Sequence, residues 1–420
     1  METVAVIGGG AAGLMAAGTA ARYGSRVILI EKNNEVGKKL YLTGKGRCNF
    51  TNNQPIEGFF DNTVNNKDFL YSAFYTFTNR QLISFFNDLG VKTKVERGGR
   101  VFPESDSSEE IVKALNRYLH NHKVRVEYRR VVRIVNLQNE NQIRRDSDQN
   151  FNIYLQNGEV ITCRKVIIAT GGLSYSGTGS TGDGYQFARN LGHSIAEPEP
   201  SLVPLLVRET WVQKTDNLTL KNISISLFKE DRKIYEDFGE LTFTGNGLQG
   251  PVILSASSHM RDIYNNNYKI KIDLKPSLTY DKLDKRIRRD FKKYANKHFK
   301  NSLSDLLPVK IIPVIIKLAP ISSRKKVHQI NRQQRKKLVK LIKSLELKIE
   351  DYHSMERAII TSGGVKTSQI NPQTMESKIT NNLFFAGEII DVDAYTGGYN
   401  LQIAFSTGYL AGLSCSSEIN

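Results

Sequence analysis

The sequence predicts an α/β protein in which a nucleotide-binding domain is interrupted by an inserted domain, first β-rich and then helical and basic. Three observations lead there. Residues 4–14, Val-Ala-Val-Ile-Gly-Gly-Gly-Ala-Ala-Gly-Leu, carry an apolar strand into a glycine turn and an alanine-rich helix. The net charge of the 420-residue chain is +17, and residues 281–348 alone hold 21 Lys and Arg against five Asp and Glu. The glycine-rich, apolar style of the first half then resumes from Glu356.

Each residue of the opening motif has a physical task. Gly8 permits the tight turn, Gly10 lets a pyrophosphate approach the backbone, and Gly13 brings helix against strand. Ala11 and Ala12 open a helix whose N-terminal N–H groups and dipole favour phosphate. The strand Arg26 to Ile30 ends on Glu31, an acceptor for ribose hydroxyls. A bare Gly-x-Gly-x-x-Gly also describes a turn that binds nothing; strand, helix and acid in register point to a Rossmann-like dinucleotide site.

Further along, Asn79 to Gly90 and Ser107 to Asn121 predict helices, and Val124 to Val135 an extended segment. Gln156-Asn157-Gly158-Glu159 predicts a hairpin turn, and Lys165 to Thr170 a buried strand ending at Gly171-Gly172. Pro198 and Pro200 mark a change of character. The expected boundaries are 1–193 for the first part of the nucleotide-binding domain and 356–420 for its second part. Between them lies the insert, 194–355, β-rich over 194–276 and basic and helical over 277–355.

Cys48, Cys163 and Cys415 have no paired spacing, and no Cys or His cluster offers metal-ligand geometry. A reducing cytoplasm is the natural setting. The opening apolar run lacks a basic leader and reads as a strand rather than a signal peptide. Leu306 to Pro320, broken by Pro308, Lys310, Pro313 and Lys317, is too short and polar to span a bilayer. A mean hydropathy of -0.37 fits a soluble globular chain.

Near the C-terminus, Leu383 to Ala386 leads into Gly387-Glu388, and Thr396-Gly397-Gly398-Tyr399-Asn400 opens an apolar helix reaching Gly412. Read alone this is a glycine-started helix. Beside the N-terminal motif it becomes a partner for the partly anionic ring of a reduced flavin, which a helix N-terminus favours.

Together these blocks, with Thr43-Gly44-Lys45-Gly46-Arg47-Cys48-Asn49-Phe50-Thr51-Asn52, Ala169-Thr170-Gly171-Gly172 and Asp391, resemble the YhiN-like (BaiN-like) FAD flavoproteins of the glutathione-reductase-type fold. The resemblance spans the chain and implies an FAD domain carrying an insert. It implies that Gly8, Gly10, Ala11, Ala12 and Gly13 hold pyrophosphate, Glu31 and Lys32 the adenosine ribose, and the Val131 backbone adenine. Ala169, Thr170 and Gly171 would flank the nucleotide, with Lys39 also among the FAD contacts. Gly387, Glu388, Gly398, Asn400 and Leu401 would bracket ribityl and isoalloxazine. Glu388 stands where the family has Asp. Gly46, Arg47 and Cys48 would lie along the flavin ring, Arg47 orienting an anion or carbonyl. Cys48 is either a weak acid near the redox centre or a small buried hydrophobe.

Gly177, Gly179 and Gly182 repeat the glycine spacing, but five residues separate Gly172 from Gly177, so no strand enters the turn directly. A loop over the flavin is preferred to a separate NAD(P) domain. Tyr175 in that loop, and Tyr395, are candidates for facing the active site.

The basic stretch predicts contact with nucleic-acid phosphates through Arg286, Arg288, Arg289, Lys292, Arg324, Lys325, Arg332, Arg335 and Lys336. Family members are associated with dihydrouridine formation in large-subunit ribosomal RNA and with oxidation of small amines such as aminoacetone. A cationic field repels a protonated amine. The expectation is therefore an FAD-dependent oxidoreductase reducing an rRNA uridine with NAD(P)H, Cys48 donating the proton, Tyr175 or Tyr395 standing as alternatives. A small-amine oxidase and a non-catalytic flavin-containing RNA or ribosome-assembly factor are the competing readings.

Overall fold

The computed structural model describes residues 3–137 and 150–416. The chain divides into two compact units, Met1–Ser201 with Ala358–Asn420, and Leu202–Arg357.

In the first unit, five parallel strands form a sheet in the order Leu383–Phe385, Lys165–Ile168, Thr3–Ile7, Arg26–Glu31, Arg125–Tyr128. The central strand is a continuous apolar run because a parallel sheet is covered on both faces; Val4, Ala5 and Val6 are fully buried. Two helices, Ala11–Arg22 and Tyr399–Ser416, pack closely together. Small residues allow this. A Cβ at Gly408 would lie 2.4 Å from the carbonyl oxygen of Ala12, and one at Gly412 2.5 Å from that of Ala16.

Val131–Asn136, Phe151–Leu155 and Val160–Cys163 make an antiparallel sheet, with the expected turn closed by Gly158 N–H donating to Leu155. The segment expected to be extended from 124 to 135 is two strands in two different sheets.

The second unit is built on a closed six-stranded antiparallel barrel. Around the barrel run Leu205–Val207, Gly247–Gln249, Arg232–Thr244, Thr219–Lys229, Tyr268–Asp273 and Leu345–Tyr352, which pairs back onto the first. Helices Tyr280–Lys293, Ile312–Leu318 and Arg332–Lys343 lie in sequence between its last two strands.

Two details differ from the sequence reading. The stretch 277–355 is not helical throughout: Leu345–Tyr352 is a barrel strand, with Leu345, Leu347 and Ile349 buried and Glu346, Lys348 and Glu350 exposed. The strand Ile195–Ser201, expected in the insert, belongs to the first unit, pairing with Ile360–Val365 in a two-stranded ladder with an irregularity between Ala196 and Glu199; it holds Pro198 and Pro200, and the second unit begins just after them at Leu202.

The helix contact makes a direct prediction. Gly408→Ala should lower stability to denaturant by about 1–3 kcal/mol through overpacking; an unchanged unfolding midpoint would mean the two backbones are not held that close.

Candidate cofactor and active site

The glycine motif owes its shape to backbone contacts. Gly8 has φ +103°, and a Cβ there would meet the Ala169 carbonyl oxygen at 2.6 Å. A Cβ at Gly13 would lie 1.8 Å from the Gly8 oxygen. At Gly10 the situation reverses: a Cβ would meet nothing within 4 Å. No side chain caps the helix that Gly10 precedes, and no acid occupies its first turn. The first N–H groups of this helix are therefore left for a ligand, with the positive end of the helix dipole behind them. This cradle fits a pyrophosphate.

Glu31 is largely committed to the protein. One oxygen accepts from Gly9 N–H at 2.7 Å, the other from the backbone and side-chain nitrogens of Asn33 at 2.8 and 2.7 Å. A carboxylate offers about four acceptor positions, so a ribose hydroxyl finds one left. Lys32 does not stand free beside it: its ammonium pairs with Asp183 at 2.9 Å and bonds Thr181. Val131 opens its strand, buried and opposite Leu155.

Glu388 follows Gly387, whose φ is +78° and whose N–H donates to Thr407. Its carboxylate is held by Lys39 at 2.6 Å, by the Ser174 hydroxyl at 2.8 Å and by Thr361 N–H at 2.8 Å. Lys39 also donates to Ser174 at 2.7 Å, and its ammonium lies 5.8 Å from the centre of the Tyr175 ring. Lys39, Ser174, Tyr175, Thr361 and Glu388 thus form one polar cluster. Tyr175 adopts φ +54°, and burial pushes its phenol up, keeping it protonated.

The two most distinctive sequence blocks meet. Asn52 Nδ2 donates to the Gly397 oxygen at 3.1 Å, and the Thr51 hydroxyl donates to Gln402 Oε1 at 2.6 Å. A Cβ at Gly398 would lie 2.3 Å from the Thr51 oxygen. Asn400 braces the approach to the helix, accepting from Ala394 N–H at 2.9 Å and donating to its oxygen at 2.7 Å. Leu401 lies partly buried against the core. Tyr395 packs on the same core, and its N–H donates to Asn62.

Two expectations change here. Cys48 is fully buried in the core, and burial pushes its thiol up to about 12, far from the range of a useful acid at neutral pH. It is the small buried residue of the two readings. Arg47, next to Gly46 in the same loop, is already engaged. It pairs with Glu96 at 2.8 Å and Asp106 at 3.3 Å, and its guanidinium lies 4.2 Å from the centre of the Phe102 ring. The loop carrying Gly177, Gly179 and Gly182 docks on the end of the Glu31 strand, where Asn33 Nδ2 donates to the Thr178 oxygen at 3.0 Å.

Sequence reasoning missed Ser174 and Thr361, for which no local motif exists. It quoted Asn49 but gave it no role, although its Oδ1 is buried without a partner; Tyr185 was passed over, and its hydroxyl is likewise unpartnered. Among the described residues no group of His, Cys, Asp and Glu could hold a metal ion, and no helix is long and apolar enough to cross a membrane.

A family described as "HI0933-like protein Rossmann domain" matches residues 2–414. The chain belongs to this family. It is 30% identical over 422 residues to the 3-dehydro-bile acid delta(4,6)-reductase of Clostridium scindens, covering 100% of both chains. It is 30% identical over 415 residues to the ribosomal RNA dihydrouridine synthase of Haemophilus influenzae, covering 98% of each. The solved 3-ketosteroid-delta4-(5alpha)-dehydrogenase of Rhodococcus jostii RHA1 shares the fold, with a TM-score of 0.52 at 16% identity over 99% of this chain and 96% of that one. The fold is a Rossmann-type FAD-binding fold with an added β-rich region, and the protein is an oxidoreductase of that class.

The burial of Cys48 is testable by thiol labelling. At pH 8, four units below a pKa of about 12, Cys48 should stay unlabelled in the folded protein and react only in denaturant. Rapid native labelling would contradict this placement.

Proposed function

We propose that the protein is an FAD-dependent reductase that converts a uridine of large-subunit ribosomal RNA to dihydrouridine, with NAD(P)H as the electron source. The observation carrying the RNA substrate is the state of the charges in the second unit. Three acids among its basic helices are used internally: Asp284 pairs with Arg335 at 2.7 Å, Asp290 with Arg286 at 2.8 Å, and Asp305 with Lys293 at 2.7 Å. Arg288, Lys292, Arg324, Arg332 and Lys336 remain exposed. Such a surface gains affinity for phosphates through counterion release. Of the nine basic residues expected to meet RNA, Arg286 and Arg335 are paired with acids of the protein, and Lys325 donates to Gln334.

The names of the two relatives describe related chemistry. Uracil C5=C6 is conjugated to the C4 carbonyl, as the delta(4) bond of a 3-oxo steroid is to its ketone. In both, hydride adds to the carbon β to the carbonyl and a proton to the α carbon. Bound FAD would supply that hydride to uridine C6, the balance being NAD(P)H, a proton and uridine giving NAD(P)+ and dihydrouridine. Gly10, Ala11 and Ala12 would hold its pyrophosphate, Glu31 its ribose, and Gly398 with the opening of the Tyr399–Ser416 helix its ring system. With Cys48 buried, Tyr175 takes the proton-donor role at C5. Its left-handed backbone holds the phenol beside Lys39, and Glu388 with Ser174 holds Lys39 in turn.

Two experiments test this. Gly10→Asp meets no steric obstacle at φ -82° yet puts a carboxylate in the phosphate cradle. It should leave the fold intact and weaken FAD binding by about 100-fold or more; unchanged flavin content would remove the cradle from the site. Nucleoside mass spectrometry of rRNA from cells with and without the gene should show loss of a dihydrouridine in the deletion, and Tyr175→Phe should reproduce the loss while retaining FAD. Unchanged dihydrouridine would overturn the RNA reading. Peroxide release with a small amine would put the oxidase in its place, and a delta(4)-3-oxo steroid reduced by the enzyme would install the steroid reductase.

A further inference from the structure

The helix Tyr280–Lys293 buries Leu283, Ile287, Asp290 and Phe291 on one side. Lys282, Lys285, Arg286 and Arg289 follow one another at i, i+3, i+4 and i+7, so they share a second face. With Leu278 they line an open groove of about 490 Å³. We propose that this groove is where the phosphodiester backbone of the RNA docks, an inference that rests on the RNA reading above and narrows it from a basic segment to one helix face.

Like charges at i, i+4 oppose helix formation. Lys282 with Arg286, and Lys285 with Arg289, are two such pairs. Asp290 answers only part of the charge: it pairs with Arg286 at 2.8 Å and stands 3.8 Å from Arg289. Among the described residues, Lys282 and Lys285 have no acidic partner within ion-pair distance. The base of the groove is fixed, because Lys343 donates to the Lys275 oxygen at 3.1 Å and the Leu278 oxygen at 2.7 Å. The Lys275 ammonium is itself held below the usual lysine range by burial and by Arg286. The local excess of positive charge is thus left for a ligand to neutralise.

The shape favours a polymer. Seven residues of helix place Lys282 and Arg289 about 10 Å apart along the axis, the axial run of about three phosphates on one nucleic-acid strand. The groove is open, and exposed Arg288 and Lys292 continue the charge along the same helix.

The test is RNA affinity as a function of salt, by fluorescence anisotropy with a large-subunit rRNA fragment and the FAD-loaded full chain. The triple variant Lys282→Ala, Lys285→Ala, Arg289→Ala should keep its FAD and thermal midpoint, bind about tenfold or more weakly at 0.1 M salt, and flatten the log–log salt slope by about two to three. A matched variant elsewhere in the second unit, Lys214→Ala, Lys221→Ala, Arg232→Ala, removes the same charge from exposed positions outside the RNA set and should cost much less. Equal losses from the two variants would mean diffuse attraction and overturn the groove. An unchanged groove variant, with RNA binding and dihydrouridine formation intact, would sink the groove alone. Wild-type protein that does not bind RNA would sink both the groove and the RNA reading.

Discussion

The Ala11–Arg22 and Tyr399–Ser416 helices approach until glycine on one faces carbonyl on the other. That contact is the constraint on which the nucleotide-binding unit depends. Gly408 against Ala12 and Gly412 against Ala16 leave no room for side chains. The Gly13 contact with the Gly8 oxygen carries the same closeness into the glycine turn. Residues at opposite ends of the chain therefore meet without a side chain as spacer. Alanine and glycine are poor sources of hydrophobic burial, and the reward is geometric: the start of the first helix is set against the middle of the last one, beside the ends of the parallel strands, where open α/β sheets bind nucleotides.

Around that contact the polar groups hold one another before they hold a ligand. Glu31 fixes the glycine turn through Gly9, Asn400 fixes the loop before the last helix through Ala394, and Glu388 joins Lys39, Ser174 and Thr361. These bonds pre-order the binding loops, so that less conformational entropy is lost when a cofactor is bound. They also spread the site over segments far apart in sequence, which local motifs cannot show.

How much could be read in advance follows from the range of each interaction. The glycine motifs were legible because their tasks are local: a turn, a close approach, an uncapped helix. The burial of Cys48 was not, because it depends on the surrounding core, including Phe50 and Phe86, whose rings lie 4.9 Å apart. Arg47 looked free because Glu96 and Asp106 stand 49 and 59 residues away. The barrel strand Leu345–Tyr352 is readable from its alternation, but Glu346 and Lys348 fall within the basic stretch and its charge count. Charge density and periodicity are separate signals, and the second decides the secondary structure.

Glu388 shows how a departure from a family pattern can be explained by geometry. Aspartate at that position would have one fewer methylene with which to reach partners on three segments. The glutamate carboxylate spans from Lys39 to Ser174 and to the Thr361 N–H, with both oxygens engaged. Thr361 in turn receives the N–H groups of Leu173 and Ser174 on its hydroxyl, at 2.8 and 3.0 Å. The longer acid therefore belongs to a brace that orders the Gly171–Tyr175 turn and, through Lys39, the surroundings of Tyr175. A ribityl hydroxyl would use the acceptor capacity that remains. In the proposed site, position 388 would thus serve binding by shaping the protein around the cofactor as much as by touching it.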